Sequence, residues 1–282
     1  MSRLREALPR PLARRLPGAD APQKGAPSRE VPGTFGPRWG KPVGWVLSKG
    51  LWSVTRHGAE HVPAEGPVLL ASNHLGFLDG PLLMGMAPRG THFLVKKEMF
   101  RGWLGSVLRG CGQIPVDRTG DRGALVTAVQ VLRRGGSVGV FPEGTRGRGD
   151  VASLQSGVTW LALQTGAPVV PVALLGTRPA GRSTSSLPGF RQHVHVVLGA
   201  PVHLTAPAGV PRRTALAQAT EDLRVAMTEH VLAAVALTGM PLPDAGPGSA
   251  EEGREVAAEA AERADAERTT DDGAPGAGRS HP

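Results

Sequence analysis

A histidine and an aspartate stand five residues apart in the run Ser72-Asn73-His74-Leu75-Gly76-Phe77-Leu78-Asp79. The run follows an apolar stretch that reads as a strand and precedes a helical pattern. A histidine at a strand exit lies on the rim of a sheet, where ligands gather in α/β folds. The loop between the two residues can fold the Asp79 carboxylate back onto one imidazole nitrogen. Such a bond sets the tautomer and stabilises the imidazolium when the other nitrogen takes a proton. A base positioned this way contributes on the order of 10²–10⁴ in rate. The bland alternative is a helix-capping aspartate beside an unrelated surface histidine.

Two further clusters also sit at strand ends. Phe141-Pro142-Glu143-Gly144-Thr145-Arg146 places a carboxylate, a hydroxyl and a guanidinium around a glycine. The glycine lets backbone approach a ligand, and arginine suits phosphate. The alternative is a turn with an internal Glu–Arg pair. Gly112-Gln113-Ile114-Pro115-Val116-Asp117-Arg118 is a strand that ends on an arginine, and Lys96 and Lys97 end the strand before it. If these strands are parallel, His74, Lys96, Arg118, Glu143 and Arg146 share one edge. A base beside clustered cations suits deprotonation of a hydroxyl on a phosphate-bearing molecule.

The elements that must position these residues alternate. Strands are expected at 67–72, 92–95, 113–116, 137–141, 169–175 and 193–198, and helices at 81–86, 98–109, 122–134, 154–165 and 214–237. That alternation predicts a single α/β layered domain with a central, mostly parallel sheet flanked by helices. Residues 1–38, rich in Pro, Gly and Arg, read as a basic flexible arm. Residues 39–56 mix Trp39, Trp45 and Trp52 with Lys41, Lys49 and Arg56. They read as a helix that either lies in a membrane interface or packs its tryptophans on the domain. The domain is expected over 39–242, and 243–282 reads as an acidic disordered tail.

Charge is split along the chain. The net charge of 282 residues is +8; residues 243–282 hold ten acidic residues and four arginines, or −6, so the first 242 carry +14. A basic body suits anionic partners such as phosphate headgroups, coenzyme A or acidic lipid. The 4% aromatic content and absence of Tyr argue against nucleic acid. One cysteine, Cys111, excludes an internal disulfide framework and reads as a small core residue. No window approaches a membrane-spanning length of apolar residues. His92, His193, His195 and His203 lack companions at metal-ligand spacing, so no metal site is expected.

Asn73-His74 with Asp79, Gly112–Arg118, Phe141–Arg146 and Val170-Pro171-Val172 together resemble, in order and spacing, the four motifs of the glycerophospholipid acyltransferases, the family of the 1-acylglycerol-3-phosphate acyltransferases. Phe-Pro-Glu-Gly-Thr-Arg is a full match to the third. The resemblance implies His74 as general base and Asp79 as its orienting partner. It implies that Lys96, Arg118, Glu143, Gly144, Thr145 and Arg146 bind the acceptor. The acceptor would be a lysophospholipid, with glycerol 3-phosphate or another lysolipid as alternatives. The donor would be acyl-coenzyme A or acyl carrier protein, with no metal or bound cofactor. The implied site of action is the cytoplasmic face of the cell membrane. Two departures bear on acceptor choice. Gly76 stands where the family often has a small hydroxyl residue, and Leu154-Gln155-Ser156-Gly157 replaces a Phe-Lys-x-Gly run.

Two rivals make separate demands. Gly135-Gly136-Ser137-Val138-Gly139 matches Gly-x-Ser-x-Gly, but its serine enters a strand where a nucleophile elbow must leave one. A non-catalytic lipid- or coenzyme-A-binding protein would have no use for the His74/Asp79 pair.

Overall fold

The computed structural model describes residues 31–117 and 121–244. Seven strands form one sheet in the order β1-β7-β6-β2-β5-β3-β4. They are β1 Ser53–His57, β2 Val68–Ser72, β3 Thr91–Lys96, β4 Ile114–Val116, β5 Ser137–Val140, β6 Val169–Leu175 and β7 His193–Leu198. All neighbours are parallel except β6 and β7. The C-terminal ends of β2 to β6 therefore share one edge, while β1 and β7 run the other way.

The strands are apolar on both faces because helices cover both. Leu69 and Ala71 of β2 point into one core, which α4 (Arg122–Arg133), α5 (Gly157–Thr165) and α6 (Arg212–Thr238) close. Val68 and Leu70 point into the other, which α2 (Asp79–Met86) closes. The period-two split continues in β6, with Val169, Ala173 and Leu175 on one side and Val170, Val172 and Leu174 on the other.

Two helical expectations are corrected. The helix expected over 39–56 is α1, Phe35–Leu51, and residues 53–57 form edge strand β1. Its inward face is mainly glycine, with half-buried Trp39 at its side against Gly110. Gly36, Gly40 and Gly44 recur every four residues and press on Gly110–Gly112, Cys111 and Gly85. A Cβ on Gly44 would sit 2.9 Å from the Gly85 backbone. This glycine seam leaves Trp45 49% exposed, together with Val43 and Val46. Trp52, past the helix end, is buried and donates to the Pro188 carbonyl at 3.1 Å.

The helix expected over 98–109 is broken. Lys97–Phe100 is a 3-10 turn, Arg101 is extended, and α3 runs over Gly102–Gly110. A Cβ on Gly105 would lie 2.2 Å from the Phe100 carbonyl, so the glycine permits that fold-back. Cys111 is buried, as expected.

Candidate active site

Strand register brings the site together. Ala71 of β2 lies beside Val140 of β5. Three residues further along each chain stand His74 and Glu143. The backbone N–H of His74 donates to Glu143 Oε1 at 2.9 Å, and Gly147 N donates to the His74 carbonyl at 2.9 Å. Asn73, fully buried, holds the strand exit. Its Nδ2 donates to the carbonyls of Leu174 and Gly149, and its Oδ1 accepts from Leu174 N.

His74 Nδ1 lies 2.8 Å from Asp79 Oδ2. Asp79 opens α2, is fully buried, and the same oxygen accepts from Leu75 N at 2.6 Å and Gly76 N at 2.9 Å. A carboxylate in this position takes the Nδ1–H, which leaves the imidazole lone pair on Nε2. The ring stacks on Phe141 with centroids 4.2 Å apart, and its side chain is 17% exposed. It is fixed in orientation yet open to a ligand.

Glu143 is partly buried, and burial pushes its carboxyl up to about 7; Asp150 and Asp79 add to the rise, while the His74 N–H opposes it. The turn that carries it needs Gly144, whose φ is +73° and whose Cβ would collide with the Gln155 side chain. Gln155 is the residue standing where the family run has lysine.

His74, Lys96, Glu143, Gly144, Thr145 and Arg146 all line one cavity of about 710 Å³. The Arg146 guanidinium lies 5.7 Å from the Phe77 ring centroid. Apolar walls come from Met84, Met99, Leu104, Leu108, Leu125 and Leu154. Asp79 stands behind His74 and off the cavity. Arg118 lies outside the described residues, though Val116 pairs with Lys96 in the β3–β4 register. Among the described residues no group of three His, Cys, Asp or Glu is placed to hold a metal. His195 meets His57 at 3.3 Å without further ligands. Ser137 is buried at the opposite edge of the sheet against Thr91, which removes it as a nucleophile.

Sequence reasoning missed Arg178. It is 2% exposed and donates to the carbonyls of Gly147 at 3.0 Å, Asp244 at 2.9 Å and Arg182 at 3.3 Å. Burial lowers the pKa of its guanidinium, and the Asp79 carboxylate opposes that. The signal that could have found it is the one used for the others: it comes three residues past the end of a strand.

Residues 53–175 match the family model described as Acyltransferase. The chain is 32% identical over 177 residues to a Bacillus subtilis 1-acyl-sn-glycerol-3-phosphate acyltransferase, covering 61% of this chain and 85% of that protein. It is 31% identical over 164 residues to a chloroplastic one from Arabidopsis thaliana, covering 54% of this chain and 44% of that longer protein. A crystal structure of the Thermotoga maritima 1-acyl-sn-glycerophosphate acyltransferase aligns with a TM-score of 0.49 at 24% identity, over 71% of this chain and 79% of that one. The chain belongs to the glycerophospholipid acyltransferase family and is an O-acyltransferase.

Proposed function

We propose that this enzyme moves a fatty acyl group from a thioester, acyl-coenzyme A or acyl carrier protein, to the free hydroxyl of 1-acylglycerol 3-phosphate, forming phosphatidic acid. The observation that carries this reading is the His74–Asp79 pair at 2.8 Å on the wall of a cavity that also holds Arg146, Lys96 and an apolar lining.

The acceptor oxygen attacks the thioester carbonyl carbon as its proton passes to His74 Nε2. Asp79, held by two backbone N–H groups, stabilises the imidazolium that forms. The tetrahedral intermediate collapses, the C–S bond breaks, and the leaving thiolate takes the proton back from Nε2. Arg146, Lys96 and Arg118 hold the acceptor phosphate, with Thr145 beside them. Glu143 holds the His74 backbone and so sets the height of the base above the sheet edge. The apolar walls take the acyl chain. The reaction as written needs no metal or bound cofactor.

The enzyme works at a membrane surface. Among the described residues no helix is long and apolar enough to cross a bilayer. α1 instead turns glycines inward and Trp45, Val43 and Val46 outward, with Lys49 in its last turn. That is the arrangement of an interfacial helix and supports attachment to a membrane surface; we place it on the cytoplasmic face of the cell membrane.

The test is acyl transfer by purified protein in detergent, with palmitoyl- or oleoyl-coenzyme A and a panel of lysolipids and glycerol 3-phosphate, beside His74→Ala. Phosphatidic acid from lysophosphatidic acid, with a loss of at least about a hundredfold in the variant, supports the reading. Preference for another acceptor moves attention to Gly76 and Gln155. Equal rates for variant and wild type would remove His74 as the base, and no turnover at all would favour a non-catalytic lipid-binding role.

A further inference from the structure

α3 has two apolar stripes, and only one is used inside the molecule. Leu104 and Leu108, four residues apart, line the cavity beside Met99. Trp103 and Val107 occupy the adjacent stripe, about 100° round the helix. Trp103 is 79% exposed, and Val107 is exposed as well. Exposed Arg101 and Arg109 flank them in sequence, with Glu98 an exposed carboxylate nearby, while Lys97 is ion-paired with Asp117. α3 also adjoins α1, whose Gly36 presses on Gly110 and whose Trp39 Nε1 donates to the Gly110 carbonyl at 3.1 Å.

We propose that the Trp103–Val107 stripe of α3 is a membrane-seating surface for an anionic phospholipid bilayer, over which substrate acyl chains pass Leu104 and Leu108 into the cavity. Three features select lipid as the occupant. A tryptophan almost wholly in solvent, with an aliphatic neighbour and flanking arginines, has the composition of an interfacial helix. Arg101 and Arg109 at the two ends of the stripe complement anionic headgroups. The stripe is also continuous with the cavity wall, so a chain leaving the bilayer here meets apolar surface all the way. The passage of acyl chains rests on the acyltransferase reading; the seating itself does not.

The experiment uses the full chain and sedimentation with phosphatidylcholine vesicles, with and without phosphatidylglycerol. Trp103→Ala combined with Val107→Ser should lower the partition coefficient at least about tenfold, since burying side chains of this size is worth one to two decades. Trp103→Phe should keep most of the binding, and vesicles without phosphatidylglycerol should bind wild type more weakly. Leu232→Ala removes an exposed apolar residue of α6, on the other face of the sheet, and should bind as wild type. Turnover of short-chain, water-soluble donor and acceptor should be unchanged in the double variant. Unchanged partitioning of that variant overturns the proposal, as does an equal loss of short-chain turnover, which would mean a deformed cavity. Unchanged partitioning with weaker binding of acyl carrier protein overturns it in favour of protein docking. If wild type acylates nothing while the variant still loses vesicle binding, the surface stands and the acyltransferase reading fails.

Discussion

Glu143 Oε1 accepts the backbone N–H of His74 at 2.9 Å, tying the third sequence motif to the first through main chain rather than through the imidazole. Burial raises the Glu143 carboxyl from 4.5 to about 7. Between those values the folded chain binds more protons than the unfolded one, so Glu143 costs stability as pH rises from about 4.5 to about 7, and the full cost persists above. Glu143→Gln keeps an acceptor for the N–H without the charge. Its unfolding free energy, from urea titrations, should gain on wild type between pH 5 and pH 8 by on the order of 1–3 kcal/mol. A pH-independent difference would contradict the assignment.

Asp79→Asn should act on kcat with little change in KM. A single oxygen, Oδ2, meets His74 Nδ1, Leu75 N and Gly76 N, so an amide oxygen can take its place but brings no negative charge to stabilise the imidazolium. The expected loss in kcat is on the order of 10²–10⁴. A variant altered mainly in KM would place Asp79 in binding instead.

Arg178→Met leaves the carbonyls of Gly147, Asp244 and Arg182 without their donor. Thermal or urea unfolding should show a loss on the order of 2–4 kcal/mol. Activity should fall further than stability at assay temperature explains, because Gly147 N also bonds the His74 carbonyl. Full activity in a folded variant would limit Arg178 to a structural role.

Gly85→Ala would place a Cβ 2.4 Å from the Gly44 backbone and push α1 off α2. Unfolding should cost about 1–3 kcal/mol, with faster proteolysis within 35–51. Gly50→Ala meets nothing within 4 Å and is the control. It should be neutral or stabilising by up to about 1 kcal/mol.

His92 and His230 should make the fold acid-sensitive. Burial is the main cause that lowers both, and Arg134, which bonds His92 Nε2, and His61 near His230 add to it. A histidine lowered in the folded state contributes stability that is present above about 6.5 and is lost as pH falls from there toward its folded value. His230→Gln should flatten the acid limb of urea midpoints measured from pH 8 to pH 5. Glu143 acts with the opposite sign over part of this range, so each effect is read as variant against wild type.

The sequence by itself determined the family and most of the scaffold. Strands 169–175 and 193–198 run as their apolar runs indicate. His74, Lys96, Glu143 and Arg146 were legible as strand-end residues because strand ends follow from local apolar runs. β1 was not legible: Ser53–His57 lies at the sheet edge and carries Thr55, Arg56 and His57. Tertiary structure alone decided which strand ends are neighbours. β2 lies between β5 and β6, and that order, not spacing, sets Glu143 against His74 and Asn73 against Leu174. It also decided that α1 buries glycines and shows Trp45, while Trp39 bonds the Gly110 carbonyl. Helical periodicity reports which residues share a face, whereas the face turned inward depends on how closely a distant backbone, here Gly85 and Gly110–Gly112, must approach.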